Sequence, residues 1–180
     1  VDQADPYACL QETPPETGSV VWDLDYRWGD QEWMGIRAAR NGLQSPMSIY
    51  EVHLGSWRKG KTYLELAEEL VEYVTWQGFT HVEFMPVTEH PFEPSWGYQV
   101  TNYFAPQSRL GRPDEFRHLV DKLHQAGIGV ILDWVPGGFC ADEQGLATFN
   151  GEMLYENEVH PNWGTHKFDF SRGQVRTFLI

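Results

Sequence analysis

Hydrophobic spacing is regular in the middle of this chain and irregular towards both ends. Residues 63–77 carry Leu66, Ala67, Leu70, Val71 and Val74 at helical spacing, with Glu65, Glu68, Glu69 and Glu72 beside them. Gly78 stands where a C-terminal cap belongs. Pro113-Asp114 opens a second helix with Phe116, Leu119, Val120 and Leu123 on one face, closed by Gly127. Three apolar runs read as strands: residues 48–54 stopped by Gly55, 80–85 stopped by Pro86, and 128–132 ending at Asp133. The last is apolar nearly throughout, as in a parallel strand covered on both faces. A third helix begins near Ser171, and the run Val175, Phe178, Leu179, Ile180 breaks off inside its apolar pattern. With Val1 rather than Met at the start, both ends are expected to be cut.

Before the regular part, Val20-Val21-Trp22 with Leu24 predicts one strand, and residues 25–46 read as irregular linker up to Ser45-Pro46. Two long connections remain, 87–112 and 134–170. Loops of that length inside a compact domain usually carry function.

Strand–helix–strand–helix–strand is the α/β pattern, and an open doubly wound sheet competes with a (β/α)8 barrel. No Gly-x-Gly-x-x-Gly follows the first strand, which disfavours a dinucleotide-binding sheet. Long loops after the second and third strands favour a barrel, whose active sites lie at the C-terminal ends of its strands. Only three of eight strand–helix units can be placed, so the barrel is partial. Three parallel strands alone would leave two unpaired edges and a half-covered apolar interior.

Composition narrows the function. The formal charge of -13, with no basic run, argues against nucleic acid or an anionic membrane surface. An uncharged ligand fits it. Eight Trp and eight Tyr are enough for a sugar-stacking surface, although packing uses the same residues. Trp22, Trp28, Trp33 and Trp57 read as packing residues. Cys9 and Cys140 lie far apart in no paired motif, which supports neither a disulfide framework nor zinc and leans towards a reducing compartment. The histidines lack metal-ligand spacing, and no stretch is long and apolar enough for a membrane span.

Particular residues go further. Residues 48–57, SIYEVHLGSW, resemble the first barrel strand of glycogen (1,4-α-glucan) branching enzymes. Residues 85–91 (MPVTEHP), 96–99 (WGYQ) and 103–106 (YFAP) resemble their second strand and the substrate loop after it. Residues 116–137, ending DWVPG, are similar to the third strand and first conserved motif of the α-amylase superfamily, glycoside hydrolase family 13. Leu154-Tyr155-Glu156 and Trp163-Gly164-Thr165 continue the likeness.

The resemblance implies residues 1–25 as the end of a carbohydrate-binding β-sandwich, 26–46 as linker and 47–180 as the start of the catalytic barrel. It implies a cytoplasmic enzyme of glycogen biosynthesis that needs no cofactor and acts on α-glucan, glycogen or amylose. The reaction would be retaining transfer from an α-1,4 to an α-1,6 linkage, with one carboxylate attacking the anomeric carbon and another protonating the leaving oxygen. In the family those groups follow strands four and five, so they are expected beyond Ile180, and this chain alone is expected to be inactive. Tyr98 matches a tyrosine that stacks on the sugar; from the residue pattern alone, packing between Trp96 and Tyr103 reads better. Asp133 matches an aspartate that organises the site without attacking the sugar, against a loop-capping role beside Pro136. Gly138 stands where the family has a sugar-binding histidine, and Cys140 where it has proline. Losing one such hydrogen bond typically costs about 1–3 kcal/mol. Glu89 and His90 read as loop anchors, not an acid–base pair. A non-catalytic glucan-binding remnant and another α-amylase-superfamily hydrolase remain as alternatives.

Overall fold

The computed structural model describes residues 3–180. In chain order the elements begin with α1 (Gln31–Arg40), β1 (Ile49–Val52), the single turn α2 (Leu54–Trp57), α3 (Tyr63–Gln77) and β2 (His81–Phe84). There follow β3 (Thr88–Glu89), β4 (Asn102–Pro106), α4 (Pro113–Gln125) and β5 (Gly129–Leu132). The chain continues through β6 (Gly138–Phe139), β7 (Glu156–Val159), β8 (His166–Phe168) and α5 (Gly173–Leu179). It divides into two compact units.

The strand–helix unit comprises Asp23–Val87 and Arg109–Asp133. Its sheet is parallel, in the order β1-β2-β5, with Tyr50, Val82 and Val130 in one register row and Glu51, Glu83 and Ile131 in the next. α3 forms for reasons visible in its ends. Thr62 Oγ1 accepts the Glu65 N–H at 3.3 Å while Glu65 Oε2 accepts the Thr62 N–H at 2.9 Å, a reciprocal cap. At the other end Gly78 takes φ +79°, which a side chain would resist. Leu66, Leu70 and Val74 from α3 and Leu119 and Leu123 from α4 are buried with Val52, Val82 and Phe84. One face of the sheet therefore packs on the helices. The apolar interior expected from sequence on the other face is corrected: side-chain alternation gives that face Glu51 and Glu83 beside Ile131.

Two readings of the N-terminal part are corrected. Residues 25–46 are not wholly irregular, since α1 forms there. Its sequence hides this because Trp33 is its only buried side chain. That indole stacks on His124 of α4, centroids 5.2 Å apart, and His124 Nδ1 lies 2.8 Å from the Asp30 carboxylate. Nor does a strand form at 20–24: Val21 is fully exposed, and the isolated bridge found nearby among the described residues joins Gln11 to Ser19. An apolar run without a neighbouring strand has no ladder to complete its backbone hydrogen bonds. Of the four tryptophans read as packing residues, Trp33 is buried and Trp57 packs on the core, whereas Trp22 and Trp28 are exposed.

The loop unit comprises the chain through Trp22, Thr88–Ser108 and Trp134–Ile180. The two long connections are not structureless. β3 pairs with β4, and β8 lies between β6 and β7, all antiparallel. Val100, Tyr103, Phe139, Leu146, Phe168 and Phe178 form a second core. α5 contributes Val175 and Phe178, and the Phe178 ring touches Tyr7, Phe104 and Tyr155 at centroid distances of 5.0–5.4 Å.

Candidate functional site

Tyr98 and Gly138 line one cavity of about 650 Å³ in the loop unit, within the range of about 300–1,000 Å³ common for small-molecule sites. Ser95, Gln99, Val135, Asn162, Trp163 and Thr165 complete most of the wall. The lining mixes aromatic rings with hydroxyls and amides. That is the chemistry a sugar demands, with apolar ring faces to stack and hydroxyls to hydrogen-bond.

The segment carrying Tyr98 is built as a series of tight turns. Residues Glu93–Ser95 form a 3-10 turn, and the Tyr98 N–H donates to the Ser95 carbonyl at 3.1 Å. Trp96 lies in the left-handed region at φ 56°, an uncommon state for a bulky side chain. The Thr101 N–H then donates to the Glu89 carbonyl at 2.9 Å, and β4 returns along β3. Glu89 and His90 are both buried. Glu89 Oε2 accepts the Ser108 N–H at 2.7 Å, and His90 Nδ1 lies 2.9 Å from the Thr88 carbonyl. They hold the loop.

The Gly138 wall is fixed by a different residue. The Tyr103 hydroxyl lies 2.6 Å from the Gly138 carbonyl and 2.9 Å from the Val135 carbonyl. Burial pushes this phenol well above its ordinary pKa, so it stays a donor. Gly138 pairs in β6 with Lys167 of β8. A β-carbon at 138 would stand 2.4 Å from the His166 carbonyl oxygen, so no side chain fits without moving the backbone. Nearby, burial and then the Asp142 charge raise the Cys140 thiol, which argues against a nucleophilic role.

Asp133 belongs to the strand–helix unit, at the C-terminal end of β5, where its N–H donates to the Phe84 carbonyl at 3.0 Å. Its carboxyl group hydrogen-bonds Glu83. Burial, that bond and the charges of Asp133 and Glu51 raise the Glu83 pKa. Carboxyl groups crowded at strand ends are what a barrel interior uses for chemistry.

Three residues that hold the loop unit together were not singled out as such from sequence. Asn102 is buried, and its Oδ1 accepts the N–H groups of Phe104 and Ala105 at 2.8 and 3.0 Å. Glu156 is fully buried and accepts the Thr148 N–H at 2.6 Å and the Tyr155 N–H at 3.2 Å. Tyr103 is the third. All three work by satisfying backbone groups that irregular chain leaves open, for which sequence offers no periodic signal. Among the described residues no group of three or more His, Cys, Asp or Glu is arranged to hold a metal ion, and no helix is long and apolar enough to cross a membrane.

The family described as alpha amylase, catalytic domain, matches residues 65–163. The 1,4-alpha-glucan branching enzyme GlgB of Corynebacterium jeikeium is 59% identical over 100% of this chain and 26% of its own length. Its namesakes in Cutibacterium acnes and Mycobacterium tuberculosis are 54% and 57% identical over 99% of this chain, covering 29% and 25% of their own lengths. The chain thus spans between a quarter and a third of these relatives. Among solved structures, a Salmonella typhimurium protein described as an alpha amylase superposes with TM-score 0.80 at 27% identity, covering 98% of this chain and 29% of that one. A pullulanase from Bacillus acidopullulyticus superposes with TM-score 0.71 at 24% identity, covering 98% and 26%, and so shares the fold.

Proposed function

This chain belongs to the α-amylase catalytic-domain family, and from that premise we propose that it is the glucan-holding part of a 1,4-α-glucan branching enzyme. The observation that carries the reading is identity of 54–59% to branching enzymes along essentially the whole chain. The complete enzyme would cut an α-1,4 bond, hold the severed chain on a carboxylate, and pass it to a sugar 6-hydroxyl in glycogen biosynthesis. Tyr98 would stack on the sugar at the cleavage point. Asp133 would organise the site beside Glu83. The carboxylates that break the bond would come from strands outside these residues, so the chain alone binds glucan without turning it over. A cytoplasmic setting agrees with Cys9 and Cys140 both being free thiols.

Gly138 favours one variant of this reading, a glucan-binding remnant in which even the longer protein turns over slowly. With no side chain at 138, the hydrogen bond that the family's histidine would give to a sugar hydroxyl is missing. Losing a contact made in the transition state typically costs about 10²-fold or more in rate.

Two measurements test the proposal. Incubated with amylose, the chain should leave iodine absorbance unchanged and create no α-1,6 linkages. In calorimetry it should bind maltoheptaose, and Tyr98→Ala should weaken that binding about tenfold, the loss of one good stacking contact. Branching by the chain alone, or binding indifferent to Tyr98→Ala, would sink it.

A further inference from the structure

The turn at residues 160–165 holds an indole in place without burying it. Trp163 is 69% exposed, yet its ring lies 4.0 Å from the His160 imidazole with the two planes only 7° apart. His160 Nδ1 accepts the backbone N–H groups of Asn162 and Trp163, each at 3.3 Å. The turn is closed by the His160 N–H to the Thr165 carbonyl at 2.6 Å and the Gly164 N–H to the His160 carbonyl at 3.1 Å. An Nδ1 that accepts places the ring proton on Nε2.

One face of the indole is therefore covered by a parallel ring, and the other is left presented. Trp163 also lines the cavity that contains Tyr98. An aromatic residue that serves only packing is covered by its neighbours. A pinned but exposed ring beside Asn162, Gln99 and Thr165 is instead arranged to meet a ligand with apolar faces and hydroxyl edges, its ordering cost already met by the fold.

We propose that Trp163 is a second sugar platform of this cavity, stacking on a pyranose ring of an α-1,4-glucan, and that His160 is the positioning residue that holds the indole. The proposal deepens the branching-enzyme reading and rests on it.

The test labels the tryptophans of the 180-residue chain with fluorine. It follows the Trp163 resonance, assigned by its loss in Trp163→Phe, through a titration with maltoheptaose. That resonance should shift and saturate along the same curve as calorimetric binding. Trp163→Ala should raise Kd about tenfold, and Trp163→Phe, which keeps a ring, markedly less. His160→Asn keeps an acceptor for the two backbone N–H groups and removes the backing ring. It should move the Trp163 resonance in the free chain and raise Kd about threefold.

Binding that depends on Tyr98 while the Trp163 resonance stays still overturns the platform and leaves the branching-enzyme reading standing. A chain that binds no maltoheptaose overturns both. A His160→Asn chain with the resonance and Kd unchanged removes the positioning role. Should Trp163→Ala lose its circular-dichroism signature of folding, the resonance of the unsubstituted chain still decides.

Discussion

The two units bury different things. In the strand–helix unit the interior is Tyr63, Leu66, Leu70, Phe84, Leu119 and their apolar neighbours, with His81, Asp30 and Asp121 as its buried polar residues. The loop unit buries, beside its own aromatic core, Gln11, Glu89, His90, Asn102, Gln107, Glu156 and Thr165. The difference follows from backbone chemistry. Helices and parallel strands satisfy their own N–H and C=O groups, so their side chains are free to be apolar. A unit made of turns and two- to five-residue strands leaves many backbone groups open and recruits polar side chains to close them. The unit with the cavity is therefore held by side-chain hydrogen bonds to its backbone as well as by its aromatic core.

That contrast can be broken by substitution. Leu66→Ala removes a fully buried side chain between α3 and the sheet and should cost about 2–5 kcal/mol, read by urea unfolding. Protection from hydrogen exchange should fall across α3 and β2. A loss below 1 kcal/mol would mean that the apolar cluster is not what stabilises this unit.

Glu156→Ala should cost less, about 1–3 kcal/mol, because it strands the buried Tyr155 N–H and the partly buried Thr148 N–H. Its effect on exchange should centre on residues 147–156. Glu156→Gln, which keeps one acceptor, should lie between. If the alanine variant is as stable as the parent, the polar-anchor account of the loop unit fails.

The smallest effect belongs to the cap of α3. Thr62→Ala should cost about 1 kcal/mol, and its size should depend on pH. The Thr62 N–H and hydroxyl hold the Glu65 carboxyl below its ordinary pKa of 4.5. A depressed carboxylate stabilises the fold above its unfolded pKa and loses that contribution as pH falls through the lower, folded value. The gap between parent and Thr62→Ala should therefore be full at neutral pH and narrow without closing on acidification below 4.5, because the Glu65 N–H bond to Thr62 Oγ1 does not titrate. A gap that widens in acid would contradict the cap.

Sequence anticipated the two units unequally, for the same reason. α3 was legible end to end, from the spacing of Leu66, Leu70 and Val74 to the glycine at 78, because period and caps are local. β1, β2 and β5 fell inside the strands read from apolar runs. The pairing of β6 with β8 joins residues almost thirty positions apart through two-residue and three-residue strands, which have no room for alternation to show. α1 was missed because one buried tryptophan makes no pattern. Family resemblance alone marks Tyr98 and Gly138 in the sequence, and only the fold brings them to one cavity. Trp163 stands out in sequence only as part of that likeness; its exposed face and its backing ring are invisible in a string of letters.

Gly138 bears on descent as well as on chemistry. The His166 carbonyl now occupies the space that a side chain at 138 would enter, so β6 and β8 meet at a distance that only glycine permits. On the reading that an ancestor carried histidine there, restoring that one residue would not restore the ancestral wall. The neighbouring strand would first have to withdraw, and nothing favours its withdrawal while 138 is glycine. On that reading the substitution would work as a ratchet, with each half of the return path disfavoured until the other is taken.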